Sequence, residues 1–166
     1  MLKLVGKYKV DLVRKGKIIA HREGHNGITD EGLLLLLNAM FHGTTPSSPW
    51  YVGLITGAGT PSLAAGDTMA SHAGWAELGG AYYDETVREE WAEDAAADAE
   101  ITNTTPVEYN IADTCTIYGI FVCDDNVLAA TDGTLWCTAA FDSEVAAVDG
   151  DTVRVTYSVE AAESVA

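Results

Sequence analysis

The sequence predicts a mainly β protein, an antiparallel β-sandwich of jelly-roll or immunoglobulin-like type that carries an N-terminal β-hairpin and one amphipathic α-helix. From Pro49 onward, short β-prone segments alternate with turn residues, which is typical of sandwiches and barrels. Residues 29–42 place apolar side chains at helical spacing instead. No repeat of roughly 20 to 50 residues stands out, so a propeller or solenoid is not expected.

The chain begins with a basic hairpin. In residues 7–14 apolar and polar side chains alternate, which predicts a strand with one buried face. Lys15-Gly16 is a turn signal, and residues 17–22 are β-prone and basic again. The pattern therefore predicts two antiparallel strands joined by a tight turn.

The helix has a marked beginning and end. Thr29 is a suitable N-cap, and Asp30 and Glu31 place negative charge at the positive end of the helix dipole. Gly43 ends the helix. The apolar residues at helical spacing are Leu33, Leu34, Leu36, Leu37, Met40 and Phe41. We expect these side chains to pack on the sheet rather than to insert into a partner.

Further β-prone segments follow the helix. They are residues 50–56, 85–91, 107–111, 114–123, 134–141 and, after a turn at Gly150-Asp151, 153–159. In the last segment apolar and polar residues alternate, which predicts one buried and one wet face. Residues 93–100 are acidic and alanine-rich, so they form either a short helix or a solvated loop, and the tail from residue 160 onward is expected to fray.

The length of 166 residues predicts a single domain, residues 1–166, in which 1–27 form the basic hairpin or arm and 28–166 form the helix and the sandwich body. The net charge of −16 is unevenly distributed, because residues 1–43 carry a net +3 and residues 44–166 a net −19. Such an acidic chain is not expected to bind nucleic acid. The uneven charge fits either a basic segment that docks on an acidic partner or a surface tuned for solubility.

No membrane segment is expected. The longest apolar run, residues 33–37, is far shorter than the roughly 20 residues that a bilayer requires. Lys3, Lys7 and Lys9 interrupt the apolar stretch near the start, so no signal peptide is expected either. These features predict a protein that is made in a cytoplasm.

The cysteines and histidines predict no metal site. They are Cys115, Cys123 and Cys137, and His21, His25, His42 and His72. The cysteines form no C-x-x-C pair and are odd in number, so we expect free, buried thiols. The histidines lack the short spacings that are typical of metal ligands, and we expect no metal and no cofactor.

One short segment contains the residue types of an active site, namely Asp67, Ser71, His72 and Glu77. Catalysis is not favoured, because a triad needs its serine and histidine within hydrogen-bond reach and the side chains of adjacent residues diverge. Hydrogen bonds within a loop are the better explanation for Asp67 and Ser71, and burial for Trp75. A hydrolase that uses Ser71 or His72 stays a remote alternative.

The tryptophans are Trp50, Trp75, Trp91 and Trp136. Tryptophan is common both in protein cores and at the centres of interfaces. We expect two or three of them to lie in the core.

Five separated motifs occur in an order that resembles a family of small structural proteins of tailed bacteriophages. They are His25-Asn26-x-Ile28-Thr29-Asp30-Glu31-Gly32-Leu33, then Trp50-Tyr51-Val52-Gly53-Leu54-Ile55, then Asp67-Thr68-Met69-x-Ser71-His72-x-Gly74-Trp75-x-Glu77, then Arg88-x-x-Trp91, and Gly150-Asp151. The resemblance runs from about residue 10 to 160. Glu89 and Glu90 stand where the family usually has a proline soon after the arginine.

The resemblance implies a virion protein without enzymatic activity. We expect a capsid decoration, or cement, protein on the capsid exterior, made in the bacterial host cytoplasm, with the major capsid protein and further copies of itself, as a homotrimer or homodimer, as partners. The candidate capsid contacts are the basic residues of the hairpin, Lys7, Lys9, Arg14, Lys15, Lys17 and Arg22. The candidate structural motif comprises Asp67, Ser71, His72, Trp75 and Glu77. The alternative is a tail or tail-fibre component that serves as adaptor or receptor-binding module.

Overall fold

A computed structural model of the chain describes residues 2–45 and 49–163. Met1 and residues 46–48 and 164–166, which the predicted domain includes, lie outside the described residues. The elements in chain order are β1 (Leu2–Arg14), β2 (Lys17–Ile28), α1 (Asp30–Phe41), β3 (Tyr51–Thr56), β4 (Ala76–Glu77), β5 (Glu89–Glu90), β6 (Glu100–Thr102), β7 (Val107–Asn110), β8 (Cys115–Cys123), β9 (Leu135–Ala147) and β10 (Thr152–Glu163).

The predicted antiparallel β class with one helix and an N-terminal hairpin is confirmed. The strands follow the order β4-β3-β8-β9-β2-β1-β10-β6, with β5 added to β3 and β7 added to β10. The sandwich is not confirmed, because β2 pairs with β1 along most of its length and with β9 at Gly27 and Ile28. This strand therefore joins both parts of the structure into one continuous sheet.

The two parts of the sheet share one hydrophobic core. Alternate side chains of β1 and β10 point into it, and they meet side chains of β3, β8 and β9. For example, the ring centroids of Tyr8 on β1 and Phe141 on β9 lie 5.5 Å apart. Each large side chain buried in this way contributes about 1.5–3 kcal/mol through loss of apolar surface from water. The core therefore holds β1 and β10 against the other half of the sheet.

The N-terminal hairpin is longer and more deeply integrated than the sequence suggested. Its turn has positive φ angles at Lys15 (50°) and Gly16 (75°), as the tight turns of hairpins require. Strand β1 pairs with β2 on one side and with β10 on the other, from Leu2 opposite Glu163 to Val13 opposite Thr152. Strand β1 is therefore an interior strand of the sheet, and the hairpin is not a separate arm. The same pairing keeps β10 ordered to Glu163, so the expectation of fraying was wrong for residues 160–163, and residues 164–166 lie outside the described residues.

Helix α1 forms where the sequence predicts it. The Thr29 hydroxyl accepts a hydrogen bond from Gly32 N at 3.0 Å and donates one to the carbonyl of Leu135. These bonds tie the start of the helix to β9. The expectation that the leucines pack on the sheet was wrong for most of them, because only Gly32 of the helix is buried.

Three segments differ from the expected pattern. Residues 85–91 contain only the short strand β5, and Arg88 next to it is buried. Residues 93–99 form an exposed loop before β6. Strand β9 continues past Phe141 through the exposed polar residues 142–144. Its carbonyls there receive hydrogen bonds from the Arg22 guanidinium, at 2.8 Å for Ser143 and 2.9 Å for Glu144.

Candidate functional site

The segment from Asp67 to Glu77 is a loop held by its own polar side chains. The carboxylate of Asp67 accepts hydrogen bonds from Ala64 N and from the indole N–H of Trp75, both at 3.0 Å. Trp75 is buried and its ring packs 5.1 Å, centroid to centroid, from Phe121. The structural role expected for Asp67 and Trp75 corresponds to this arrangement.

Ser71 and His72 make hydrogen bonds with different partners. The imidazole of His72 stacks on Trp75 with 3.9 Å between ring centroids, and its Nδ1 lies 3.1 Å from the Trp75 carbonyl. Ser71 is exposed, and its backbone N–H donates to Thr68 Oγ1 at 3.1 Å. Among the described residues, no hydrogen bond joins Ser71 to His72. The Asp67 carboxylate accepts its side-chain hydrogen bond from Trp75 rather than from His72. This arrangement lacks the serine-to-histidine-to-carboxylate chain that nucleophilic catalysis needs.

Glu77, the last residue of this segment, forms a buried ion pair with Arg88. Two parallel hydrogen bonds of 2.8 Å join the guanidinium to the carboxylate. The Arg88 side chain is fully buried and that of Glu77 is 11% exposed. Bidentate pairs of this kind are stronger than hydrogen bonds between neutral groups.

Every side of the Arg88 guanidinium has a partner. It donates to the carbonyls of Asp125 at 2.8 Å and Ala130 at 3.3 Å, and it lies 5.4 Å from the ring centroid of Phe121. Burial by itself lowers the pKa of Arg88, but the hydrogen bonds and charge of Glu77 outweigh it, so this pKa lies above its usual value. The guanidinium thus stays charged and cross-links three loops.

Trp91 completes the motif that begins at Arg88. Its indole N–H donates to Asn103 Oδ1 and to the Tyr157 carbonyl, both at 3.0 Å. The side-chain amide of Asn103 in turn donates to the carbonyl of Val155 at 3.2 Å. Sequence reasoning missed Asn103, because an isolated asparagine in a polar loop gives no sign that it is buried.

The basic residues of the hairpin are partly neutralised within the chain. Arg14 makes two hydrogen bonds, of 2.6 and 2.7 Å, to Asp151, and they lower the pKa of that carboxyl below its usual value. Lys7 pairs with Glu160. As described above, Arg22 binds two carbonyls of β9. Of the six predicted contact residues, the exposed ones are Lys9, Lys15 and Lys17.

The cysteines are free and buried, as expected. Burial raises the pKa of Cys115 and Cys123 to about 11 and that of Cys137 to about 12, so the thiols are poor nucleophiles at neutral pH. Within residues 2–45 and 49–163, no group of His, Cys, Asp and Glu could hold a metal ion. None of the described helices is long and apolar enough to cross a membrane.

The outward face of α1 carries the most exposed apolar surface of the described chain. We call it the α1 stripe and define it by five residues with their exposed fractions: Leu33 (41%), Leu34 (60%), Leu37 (55%), Met40 (68%) and Phe41 (81%). Positions 33, 37, 40 and 41 follow the spacing of one helix face. The stripe is therefore continuous rather than a scatter of single residues.

An apolar groove runs along the opposite side of the helix. Leu35, Leu36 and Ala39 form one wall, and Trp50 and Trp136 lie across from them. The groove encloses about 270 Å³. For comparison, a cavity of about 150 Å³ is large enough to bind benzene. The helix thus covers the sheet loosely on its inner face and leaves its outer face open.

The tryptophans divide between core and groove. Trp75 and Trp91 are buried, which confirms the expectation that two or three lie in the core. Trp50 and Trp136 are half-buried with ring centroids 5.9 Å apart.

Helix α1 is apolar on all sides, and a helix with this pattern is usually completely buried. The same pattern also fits a helix with one exposed apolar face, so the sequence alone does not distinguish the two arrangements.

A comparison with protein families gives one match over most of the chain. Residues 32–159 match a family described as Podophage GP4 fiber I protein gp80. The matched segment includes most of α1, the Asp67 to Glu77 loop, Arg88 and Trp91. No curated protein matches the chain.

Proposed function

This chain belongs to the family described as podophage GP4 fiber I protein gp80, and on that premise we propose that it is a non-enzymatic component of a phage fibre. The match confirms the resemblance to structural proteins of tailed bacteriophages. It also makes the chain a virion structural protein. Its position within the virion and its contacts there are part of the proposal.

The observation that carries the fibre proposal is the family match over residues 32–159. The family description names a fibre, so it supports the tail-fibre alternative better than the capsid decoration first expected from the sequence. The integration of β1 into the sheet also weakens the case for the hairpin as a capsid-binding arm. With Lys7, Arg14 and Arg22 engaged inside the chain, a smaller basic surface is left for a capsid.

The contacts in the Asp67 to Glu77 loop support a role without catalysis. Asp67, His72 and Glu77 each hold another part of the loop or a neighbouring segment. The partners that fit such a module are further copies of the chain and neighbouring virion proteins. The net charge of −16 disfavours contact with packaged nucleic acid.

The location can be tested by labelling intact particles with an antibody to this chain and by counting its copies against the major capsid protein. An antibody to a fibre component is expected to label the tail region, and the component is expected to number about a dozen copies, as set by the cyclic symmetry of a tail. Label spread evenly over the head, with a copy number close to that of the capsid protein, would instead establish capsid decoration.

The absence of enzymatic activity has a separate test. Purified protein is assayed for ester and glycoside hydrolysis together with the His72→Ala variant and with a Val127→Ala control at an exposed site. No turnover above background is expected from any of them. Turnover that is lost in His72→Ala but kept in the control would overturn this part of the proposal.

A further inference from the structure

Helix α1 is apolar on both faces, yet the described part of its own chain covers one face only. Leu35, Leu36 and Ala39 face the groove and the sheet, whereas the α1 stripe faces outward. A helix that is apolar all round is normally buried all round. The outward face therefore lacks a cover that the described part of the chain does not supply.

The α1 stripe is large enough to be an interface. A large apolar side chain presents on the order of 200 Å², so the exposed fractions of the five residues correspond to roughly 600 Å². This is at the upper end of the largest apolar patch on a typical monomer, about 300–600 Å². It also approaches the area of about 800 Å² that each partner contributes to a stable complex.

The charge pattern of the chain favours this face for contact between two identical copies. Two molecules with a net charge of −16 each repel one another over most of their surface. Residues 32–66 contain no Asp, Glu, Lys or Arg, and the α1 stripe lies within this range. Two copies that meet around Leu37 can therefore approach closely here, while the exposed Asp30, two turns earlier on the same helix, stays at the edge of the contact.

We propose that the α1 stripe is the surface through which this chain binds a second copy of itself, with helix packed against helix around Leu37. The stripe is self-complementary, because its apolar side chains can interdigitate with the same side chains of another α1. This contact is independent of whether the chain lies in a fibre or on a capsid.

The first test is sedimentation velocity of the full chain over a concentration series. Wild type is expected to form a symmetric oligomer at concentrations of about 10 to 100 µM, since an interface of this size gives affinities in or below that range. Leu37→Glu places a carboxylate at the centre of the contact and is expected to weaken association at least tenfold. Ile18→Glu is the matched control, because Ile18 is 61% exposed and lies in the hairpin.

Two outcomes of this experiment would overturn the proposal. Wild type could stay monomeric at about 100 µM, which would mean that the stripe serves another partner. Alternatively, Leu37→Glu could associate as strongly as wild type. Far-UV circular dichroism of each variant shows whether it is folded, and a surface substitution at Leu37 is expected to leave the fold intact.

A second test uses disulfide formation and does not depend on disrupting the contact. The native cysteines are buried, so an added surface thiol is the reactive one. Leu37→Cys is expected to form a covalent dimer under mild oxidation, whereas Val127→Cys, at a site 55% exposed, is not. Failure of Leu37→Cys to cross-link, or equal cross-linking by both variants, would contradict helix-to-helix contact around Leu37.

Discussion

Two regions of the molecule depart from the usual distribution of polar and apolar side chains, and they do so in opposite senses. Around Arg88 a charged side chain is completely buried. On α1, the stripe leaves large apolar side chains in solvent, with Phe41 81% exposed. Both arrangements are costly for an isolated chain unless something compensates for them.

The compensation differs between the two regions. Glu77, Phe121 and the carbonyls of Asp125 and Ala130 satisfy Arg88 from within the chain. The outer face of α1 has no such neighbours in the described residues. The buried pair of Arg88 and Glu77 therefore maintains the fold, whereas the leucine-rich helix α1 is available for contact with other molecules.

The largest expected effect is at the buried ion pair. Arg88→Met leaves the Glu77 carboxylate without its partner and is expected to lower the free energy of unfolding by about 3–5 kcal/mol. Arg154→Met is the matched control. Arg154 also pairs with a carboxylate, that of Glu108 at 2.7 Å, but both side chains are nearly half exposed, so the expected loss is below about 1 kcal/mol.

Urea unfolding of both variants measures this difference. Adding Glu77→Gln to Arg88→Met is expected to recover part of the lost stability, because it removes the unpaired charge. If Arg88→Met and Arg154→Met lose equal stability, the buried pair does not have the structural role described here.

The next largest effect is expected where α1 meets the sheet. A methyl group on Gly32 would lie 2.6 Å from the Trp136 carbonyl oxygen. Gly32→Ala is therefore expected to lower the free energy of unfolding by about 1–3 kcal/mol, although alanine favours helices by about 1 kcal/mol over glycine. Thermal unfolding followed by circular dichroism shows whether the variant is less or more stable than wild type. A stabilised variant would show that the close contact between Gly32 and Trp136 can widen at little cost.

A smaller effect is expected at His72. His72→Ala removes the ring stacked on Trp75 and the hydrogen bond to its carbonyl. The expected loss is about 0.5–1.5 kcal/mol, measured by urea unfolding with tryptophan fluorescence. His25→Ala is the control at an exposed histidine, and no difference between the two variants would argue against a structural role for His72.

Acid is expected to weaken the hairpin end of the sheet. The Arg14 guanidinium lowers the pKa of Asp151 in the folded chain, so the stability that this carboxylate contributes is complete above its unfolded pKa of about 4. It is lost as the pH falls through the lower folded pKa. The unfolding midpoint of wild type should therefore drop more steeply below about pH 4 than that of Asp151→Asn. Parallel plots of the unfolding midpoint against pH for the two proteins would contradict this role of Asp151.

The smallest effect on stability is expected at the α1 stripe itself. In dilute, monomeric protein, Leu37→Gln is expected to change the free energy of unfolding by less than about 0.5 kcal/mol. The same measurement at a concentration where wild type associates should show wild type to be the more stable, because association stabilises the folded chain. A large loss in the dilute monomer would mean that Leu37 is packed within its own chain.

The sequence predicted the elements that depend on local patterns. The Thr29 cap, the turn at Lys15-Gly16 and the alternation in β10 are local signals, and the structure has all of these features. The pairing of Glu77 with Arg88 depends on two loops that meet only after folding. For this reason the sequence could not show that these charges are buried.

Helix α1 shows a second limit of structure prediction from the sequence. Apolar periodicity predicts α1 correctly, but it cannot tell whether the chain itself or another molecule covers each face. Strand β9 was also predicted too short, because Asp142, Ser143 and Glu144 look like a turn. In the structure their backbone continues the strand, and distant Arg22 satisfies two of the carbonyls.

The central claim is that the outward face of α1 is covered when the protein performs its function. Oxidation of Met40 by dilute peroxide in intact virions, compared with the dilute purified chain, tests it directly. Met40 is 68% exposed, while Met69 is 2% exposed and serves as an internal control. We predict that Met40 oxidises rapidly in the dilute chain and slowly in virions, with Met69 slow in both. Equally rapid oxidation of Met40 in both samples would contradict the claim.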